Sequence, residues 1–345
     1  MYEIPDKWFD QLPLTIRELI HALYNGLEFD FDTAALALFE WQRKSNPVFK
    51  SFLNNLGSVH SPTSVAEIPC LPIQFFKHYD IKSGQFDAQS IFRSSGTTMS
   101  QRSKHHLLSG AWYNKISEKI FTNQFGPLEG SVVLGLLPHY QALGDSSLIY
   151  MVSHFIEISN EANSGFYPDQ FDDLKSVILE SLSNGKNVFL FGIPYALLDF
   201  MDHTGNVHWP GLTIIETGGM KGKRAEISKT VFHDLLKDQL GTIQVFSEYG
   251  MTELLSQFYT KSDQTFADSM TARVIIKEVN DPFTKAGIHQ TGRVNIIDLA
   301  NLFSCAFIET DDLGKNIGDH TFELAGRIDY SDIRGCNLLI GNEIQ

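Results

Sequence analysis

Continuous apolar runs alternate with segments of helical periodicity through the middle of this chain. Runs with the length and continuity of strands covered on both faces lie at residues 132–137, 188–191, 212–215 and 242–246. Helical spacing of apolar residues marks the segments at 109–121, 145–158, 171–182, 195–201 and 227–240. This alternation predicts an α/β fold with a mostly parallel, helix-covered sheet.

The two ends of the chain have different patterns. Residues 1–60 predict helices, because apolar residues from Ile16 to Leu23 recur at helical spacing. From about residue 270 to residue 325, short β-type runs are separated by turn residues, which indicates a smaller β subdomain. The last segment, 326–345, is typical of a hinge or tail.

Composition and charge narrow the possible partners. The 345 residues are enough for a large buried core, and a net charge of −14 argues against an extended nucleic-acid surface. No apolar run is long enough to cross a bilayer, and residues 1–10 lack a secretion signal. The cysteines Cys70, Cys305 and Cys336 are far apart and lack metal-ligand spacing. We therefore expect a cytoplasmic protein with no nucleic-acid partner and no stable membrane insertion.

The most polar stretch of the chain runs from Ser94 to Lys104. Its hydroxyl groups donate hydrogen bonds and Gly96 lets backbone N–H groups approach a ligand. Arg102 and Lys104 add positive charge, so the stretch suits an oxyanion such as phosphate. The spacing is not that of the common phosphate loop, because no second glycine precedes the lysine. Because it has no apolar face to bury, the stretch is predicted to be a loop or an exposed hairpin, and a polar surface loop without a ligand is the alternative interpretation.

Two further polar segments follow predicted strands, which is where doubly wound sheets bind ligands. One is 216–224, which contains Gly218, Gly219 and Lys221. The other is 247–253, which ends in a threonine and a glutamate. The first segment is also compatible with a glycine-rich turn carrying solvated cations, and the second with a helix start that has an acidic first turn.

Five short motifs, in the expected order, make this sequence resemble the adenylate-forming acyl ligase superfamily. They are Ser-Ser-Gly-Thr-Thr at 94–98, Thr-Gly-Gly-Met-Lys-Gly at 217–222, Tyr-Gly-Met-Thr-Glu at 249–253, Thr-Asp-Asp-Leu-Gly at 310–314 and Gly-Arg-Ile-Asp at 326–329. The likeness is greatest to LuxE-type acyl-protein synthetases, with the phenylacetate–CoA ligase group next. Met99 and Asp311 stand where the family usually has glycine. The resemblance implies an enzyme that makes acyl-adenylates from carboxylic acids and ATP.

The same resemblance implies a site for ATP and Mg²⁺. The residues that it places at the nucleotide are Ser94, Ser95, Gly96, Thr97, Thr98, Lys104, Gly218, Gly219, Tyr249, Asp312 and Arg327. The 94–98 loop would hold the β- and γ-phosphates, and Tyr249 would offer a flat face to adenine. Asp312 would accept hydrogen bonds from the ribose hydroxyls, and Arg327 would contact the same ribose.

Four residues are implied in the reaction itself. Thr252 would donate to the α-phosphate, and Glu253 would be the Mg²⁺ ligand, as suits a hard cation held by one carboxylate and phosphate oxygens. Lys221 would help to hold the carboxylate or the phosphates, and its neighbours Lys223 and Arg224 are equal candidates. Residues 138–140 resemble the family's acyl-pocket segment, which implies that His139 separates the acyl chain from the adenylate. The alternative is a structural histidine that is hydrogen-bonded at the end of a strand.

The resemblance also predicts the organisation and the partners of the chain. Residues 1–325 would form the adenylation domain, and 326–345 a hinge and a truncated tail, whereas full-length members continue into a mobile domain with a catalytic lysine. We expect a fatty acid as the carboxylic acid substrate, with an acyl carrier, CoA or a protein thiol as acceptor. Cys336 is a candidate for acyl attachment, and a buried free cysteine is the alternative.

Two other classes of function compete with this interpretation. One is a non-catalytic nucleotide-binding subunit whose partner supplies the mobile domain. The other is a serine hydrolase, since Gly144-Asp145-Ser146 resembles a nucleophile motif. The hydrolase interpretation is weaker, because the motif comes late in the chain and Asp319-His320 has the wrong spacing.

Overall fold

Two six-stranded sheets form the centre of the protein. The computed structural model describes residues 3–57, 61–94, 101–137, 144–219, 227–318 and 320–328. The α-helices of this part are α1 (Asp6–Phe9), α2 (Leu14–Asn25), α3 (Phe31–Ser45), α4 (Pro47–Asn55), α5 (Phe75–His78), α6 (Gly110–Phe125), α7 (Ser147–Ser159), α8 (Phe171–Ser183), α9 (Pro194–Thr204) and α10 (Lys229–Leu240). The strands are β1 (Leu71–Pro72), β2 (Ser90–Arg93), β3 (Lys104–Leu107), β4 (Val132–Leu136), β5 (Gly165–Phe166), β6 (Val188–Gly192), β7 (Leu212–Thr217), β8 (Gln244–Tyr249), β9 (Phe258–Tyr259), β10 (Phe266–Ala267), β11 (Ala272–Lys277), β12 (Thr291–Asp298), β13 (Phe307–Gly318) and β14 (Thr321–Arg327).

The first sheet has the strand order β5-β4-β6-β7-β8-β9. All neighbours are parallel except β9, which pairs antiparallel with β8 at the edge. Every residue of β4 and β6 is buried, which explains why these runs are apolar without alternation. Helices α6, α7 and α10 begin at the serine caps Ser109, Ser146 and Ser228. The predicted α/β class with a mostly parallel sheet is confirmed.

The second sheet corresponds to the predicted β subdomain. Its order is β10-β14-β13-β12-β11, all antiparallel, and β1 pairs in parallel with β13. The apolar β-type run ends near residue 309, whereas β13 continues to Gly318. The added residues lack apolar alternation, but several of them pair with β12, with β14 or with both. Backbone hydrogen bonds therefore extend the strand beyond its side-chain pattern.

Two parallel strands also reach further than their apolar runs predicted. β7 ends at Thr217 and β8 at Tyr249, instead of at 215 and 246. The additional residues Glu216 and Thr217 pair in register with Ser247 and Glu248. These side chains are buried and bond to one another across the sheet, so polar contacts take the place of apolar packing.

The start of the chain is helical, as predicted for residues 1–60. Asn46 ends α3 and caps α4, and Pro47 occupies the first position of α4, where its missing N–H is not needed. The described part of the chain contains no helix that is both long and apolar enough to cross a membrane.

Gln42 ties these helices to the second sheet. Its side chain is fully buried, and Nε2 donates to the carbonyls of Asn301 at 2.9 Å and Leu302 at 2.8 Å. Its Oε1 accepts from the Ala306 amide at 2.9 Å. One amide group thus holds the connection between β12 and β13 in place.

We expect Gln42→Leu to lower the free energy of unfolding by roughly 2–4 kcal/mol, because it leaves three buried backbone groups without their partner. Urea denaturation followed by tryptophan fluorescence measures the change. Lys44→Leu on the same helix is the control, since its side chain is 73% exposed and its ion pair with Glu40 spans 4.0 Å. A Gln42 variant as stable as this control would show that the bridge is not needed.

Candidate functional site

The strands on either side of the polar stretch, β2 and β3, pair antiparallel, with Arg93 opposite Lys104. At its base the Ser94 amide donates to the Ser103 carbonyl at 3.2 Å, and the Ser103 amide donates to Ser94 Oγ at 3.0 Å. The two ends of the loop are therefore held together. The loop residues outside the described part are Ser95, Gly96, Thr97, Thr98, Met99 and Ser100, and their phosphate role stays a prediction.

The two cations of the stretch have different surroundings. Arg102 donates to both carboxylate oxygens of Asp145, at 3.1 and 3.0 Å, and its Nε donates to the Ser94 carbonyl. It thereby anchors the hairpin base to the start of α7. Lys104 lies 3.6 Å from Asp80, which also lies 3.1 Å from His106. Lys104 is thus on the face of β3 opposite His105, and its phosphate role stays a prediction.

Glu253, the predicted Mg²⁺ ligand, lies at the base of the same hairpin. The residue is 4% exposed, and the Ser103 hydroxyl donates to its carboxylate. Burial raises the pKa of this carboxyl group, while the Ser103 hydrogen bond and the charges of Arg327 and Lys77 oppose that rise. An additional cation at this buried oxygen pair would favour its ionised form.

The backbone around Glu253 is held by two side chains that the sequence did not single out. His105 Nδ1 lies 2.8 Å from the Thr252 carbonyl oxygen, and Asn301 Nδ2 donates to the Glu253 carbonyl at 2.8 Å. His105 Nε2 and Asn301 Oδ1 are 3.0 Å apart. His105 and His106 point to opposite faces of β3, where they contact Thr252 and Asp80 respectively.

Asp298 fixes the continuation of the same turn. This fully buried carboxylate accepts from the amides of Leu255 at 2.7 Å and Ser256 at 3.1 Å, and from the Ser256 hydroxyl at 2.6 Å. The Ala300 amide also donates to it, at 3.1 Å. Residues 250–257 contain no helix, so the helix start considered for this segment is wrong.

Tyr249, Asp312 and Arg327 come together, as the resemblance implied. The Tyr249 hydroxyl donates to Asp312 Oδ2 at 2.8 Å, and Arg327 Nε lies 3.1 Å from Oδ1. Asp312 and Arg327 are register partners on β13 and β14. Thr310 helps to position Asp312, since the Thr310 hydroxyl accepts from the Asp312 amide at 3.1 Å. Tyr249 is 9% exposed and packs against Phe258, which leaves little of its ring open to a base.

A pair of buried glutamates lies where β7 and β8 end. Glu216 lies 3.4 Å from His233 Nε2, and it accepts from Lys229 at 2.7 Å and from the Ser247 hydroxyl. Burial raises the pKa of Glu216, but these three partners outweigh that effect and lower it. Glu248 accepts from the Thr217 hydroxyl. Burial and the neighbouring Glu216 raise the pKa of Glu248 to about 7. Gly218 and Gly219 follow directly and are exposed, which fits the backbone approach predicted for them without testing it.

Some predicted residues lie outside the described part of the chain, namely His139, Lys221, Lys223, Arg224, Asp329 and Cys336. Ser146, the nucleophile of the hydrolase alternative, caps α7 through a 3.5 Å contact with the Ile149 amide. His105, Asn301 and Asp298 were missed because they lie outside the recognised motifs. The sequence signal that could have pointed to Asp298 is its position at the end of an apolar β-type run, residues 292–298, which is β12 in the structure.

Solved structures with the same fold share little sequence with this chain. ATP-bound MatB from Rhodopseudomonas palustris has a TM-score of 0.51 and 14% identity, over 70% of this chain and 48% of MatB. O-succinylbenzoate coenzyme A synthetase (MenE) from Bacillus subtilis, in complex with ATP and magnesium ion, has a TM-score of 0.51 and 15% identity, over 70% and 51% of the two chains. The long-chain-fatty-acid–CoA ligase FadD1 from Archaeoglobus fulgidus has a TM-score of 0.50 and 13% identity, over 73% and 53%.

These likenesses identify the fold as that of the large domain of adenylate-forming ligases. The chain spans about half the length of the structures that it matches. No family model and no curated protein matches the sequence.

Because the pKa of Glu248 is raised, we expect the free energy of unfolding to depend on pH. Between the ordinary glutamate pKa of 4.5 and about 7, the folded protein keeps a proton that the unfolded chain releases, so this contribution is lost as pH rises. Relative to the wild type, Glu248→Gln should therefore gain roughly 3 kcal/mol of stability between pH 4.5 and pH 8.

Urea denaturation at several pH values measures this difference. Glu180→Gln on the exposed side of α8 serves as the control, and its stability should follow the wild type across the same range. If the two variants follow the same course with pH, Glu248 does not hold a proton in the folded protein.

Proposed function

We propose that the protein activates a carboxylic acid with ATP and Mg²⁺, producing an acyl-adenylate and pyrophosphate. The observation that carries this proposal is the convergence of three segments that are distant in sequence. His105, next to the hairpin base, lies 2.8 Å from the Thr252 carbonyl, and Tyr249 and Arg327 both contact the carboxylate of Asp312. The arrangement lies beside the ends of β8 and β14, and it combines the base of the polar hairpin with the carboxylates of Glu253 and Asp312.

The surroundings of Glu253 fit a magnesium ion. Among the described residues no three His, Cys, Asp or Glu side chains are grouped to hold a metal, so the ion would depend on Glu253, nucleotide oxygens and water. The carboxylate is buried, and its hydrogen-bond donors are the Ser103 hydroxyl and its own backbone amide, which are both neutral. When bound, Mg²⁺ would neutralise phosphate charge.

Asp312 supports the ribose assignment. Its two oxygens are already approached by Tyr249 and Arg327, but a carboxylate has about four acceptor sites, so two ribose hydroxyls can still donate to it. Arg327 is 70% exposed and is free to follow the sugar. Asp312 and Arg327 together therefore offer hydrogen-bond acceptors and a donor to a ribose.

The reaction needs no covalent enzyme group. A carboxylate oxygen of the acid attacks the α-phosphorus, and the bond to the bridging oxygen of pyrophosphate breaks. The chain contributes position and charge: Thr252 is assigned to the α-phosphate, Lys221 to the carboxylate or phosphates, and the hairpin loop to the leaving group. A thiol then attacks the acyl carbonyl and AMP leaves.

We assign a fatty acid as substrate and a protein, carrier or CoA thiol as acceptor. The LuxE-type motifs support a protein or carrier thiol, and a neighbour described as a long-chain-fatty-acid–CoA ligase supports the fatty acid. His139 would separate the acyl chain from the adenylate. In this assignment the protein works in the cytoplasm.

The direct test is exchange of labelled pyrophosphate into ATP across a panel of fatty and aromatic acids. We expect exchange that depends on acid and is abolished by EDTA. ATP binding without exchange for any acid would instead support the non-catalytic subunit.

Glu253→Gln should reduce exchange at least about 100-fold while the thermal transition is retained, because charge neutralisation at the phosphates is lost. Unchanged exchange would remove Glu253 from its role.

Asp312→Asn should raise the KM for ATP about tenfold or more with a smaller effect on kcat, because ribose binding is shared by ground state and transition state. Asp311→Asn is the matched control, since the adjacent side chain bonds to Gln74 instead. Steady-state kinetics with ATP varied at saturating acid measures both. Equal KM values in the two variants would contradict the ribose role.

A further inference from the structure

The turn that carries Thr252 and Glu253 lies between two strands and belongs to neither. It follows β8, and residues 250–257 have no helix or strand. Among the described residues, no backbone amide donates to the carbonyl of Thr252 or of Glu253. These two carbonyls instead meet side chains from other parts of the chain, so the side chains decide where the turn lies.

One of these two side chains precedes the turn in the sequence, and the other follows it. His105 is on β3, directly after the hairpin base, and Asn301 is on the connection from β12 to β13. Both are 1% exposed. Phe76 packs edge-on against the His105 ring, with centroids 6.1 Å apart. Asn301 is itself held by Gln42, which donates to its backbone carbonyl at 2.9 Å.

We propose that His105 and Asn301 form a clamp that positions Thr252 and Glu253 for acid activation. They are positioning residues, because they touch the backbone of the reacting turn and neither the nucleotide nor the acid. The inference rests on the proposed function for its kinetic consequences, whereas its hydrogen bonds are testable without any activity.

Both nitrogens of the His105 ring face oxygen acceptors: Nδ1 lies 2.8 Å from the Thr252 carbonyl and Nε2 lies 3.0 Å from Asn301 Oδ1. A neutral ring carries a single N–H, and the clamp assigns it to Nδ1, which makes the shorter contact. Burial lowers the pKa of His105 to about 4, which keeps the ring neutral at pH 7. The clamp at neutral pH therefore consists of Nδ1–H donating to Thr252 and the Asn301 amide donating to Glu253.

The kinetic test compares His105→Phe with His106→Phe. Phenylalanine keeps ring packing at position 105 but removes the donor, and we expect kcat for pyrophosphate exchange to fall about 10- to 100-fold as the turn shifts. The KM for ATP should change less than about threefold, because the ribose contacts belong to Asp312. His106, on the other face of β3, bonds to Asp80, so its variant should retain wild-type kcat.

Two further variants separate a clamp from a general packing role. His105→Asn offers an amide N–H near the position of Nδ1 and should restore most of the kcat lost in His105→Phe. Asn301→Leu combined with His105→Phe should cost less than the product of the single losses, since either change frees the same turn. Full additivity, or an equal loss in His106→Phe, would overturn the proposal.

Nitrogen-15 NMR of histidine-labelled protein tests the clamp independently of catalysis. We expect a neutral His105 ring protonated at Nδ1, with a slowly exchanging proton whose signal shifts in Asn301→Leu and is unaffected by His106→Phe. A ring protonated at Nε2 alone would overturn the clamp. A wild-type protein that shows this signal but exchanges no pyrophosphate would reject the proposed function and leave the hydrogen-bonded clamp standing.

Discussion

The buried carboxylate of Asp298 joins the two sheets at the point where the site is built. It ends β12 and accepts four hydrogen bonds, of which three come from the turn after β8. Burial raises its pKa, and each of the four donors stabilises the charged form that they surround. Removing such a group would leave several buried donors unpaired, which is among the costliest changes in a protein interior. The position of the 250–257 turn depends on this one residue more than on any apolar contact.

Other buried polar groups extend the same junction. Gln42 reaches it from α3, His105 from β3, and Trp112 from α6 through a hydrogen bond to the Ala300 carbonyl at 2.9 Å. Each of these contacts fixes backbone that regular structure leaves free. A site whose groups are held before the ligand arrives does not have to reorganise during the reaction. This is the physical basis for assigning catalysis to an irregular segment.

The carboxylates near the site differ in how well they are satisfied. Asp298 is surrounded by donors, whereas Glu216 accepts from Lys229 and Ser247 at Oε1 and its buried Oε2 has no partner among the described residues. Glu253 is nearly as buried, yet its hydrogen bonds include one side-chain donor, and the cations Arg327 and Lys77 act on it only through their charge. A fully bonded buried carboxylate serves structure, whereas an under-bonded one is suited to a cation or a ligand. The comparison separates the structural aspartate from the candidate functional glutamate.

The sequence was sufficient for the fold class because strands buried on both faces must be apolar along their whole length. It also singled out Tyr249, Glu253, Asp312 and Arg327 as candidates, and the structure brings Tyr249 and Arg327 onto the carboxylate of Asp312. It failed where polar residues extend strands, as at Thr217 and in β13, because backbone pairing there leaves no apolar pattern.

Only the tertiary structure revealed the roles of His105, Asn301 and Asp298. Apart from the Ala300 amide, which donates to Asp298, their backbone partners lie at least 42 residues away in the chain, and such carbonyls and amides belong to every residue. Local sequence encodes which side chains are apolar and which carry charge. Which backbone group a buried polar side chain meets is decided by packing between distant segments, and that information is not present in any single stretch of the chain.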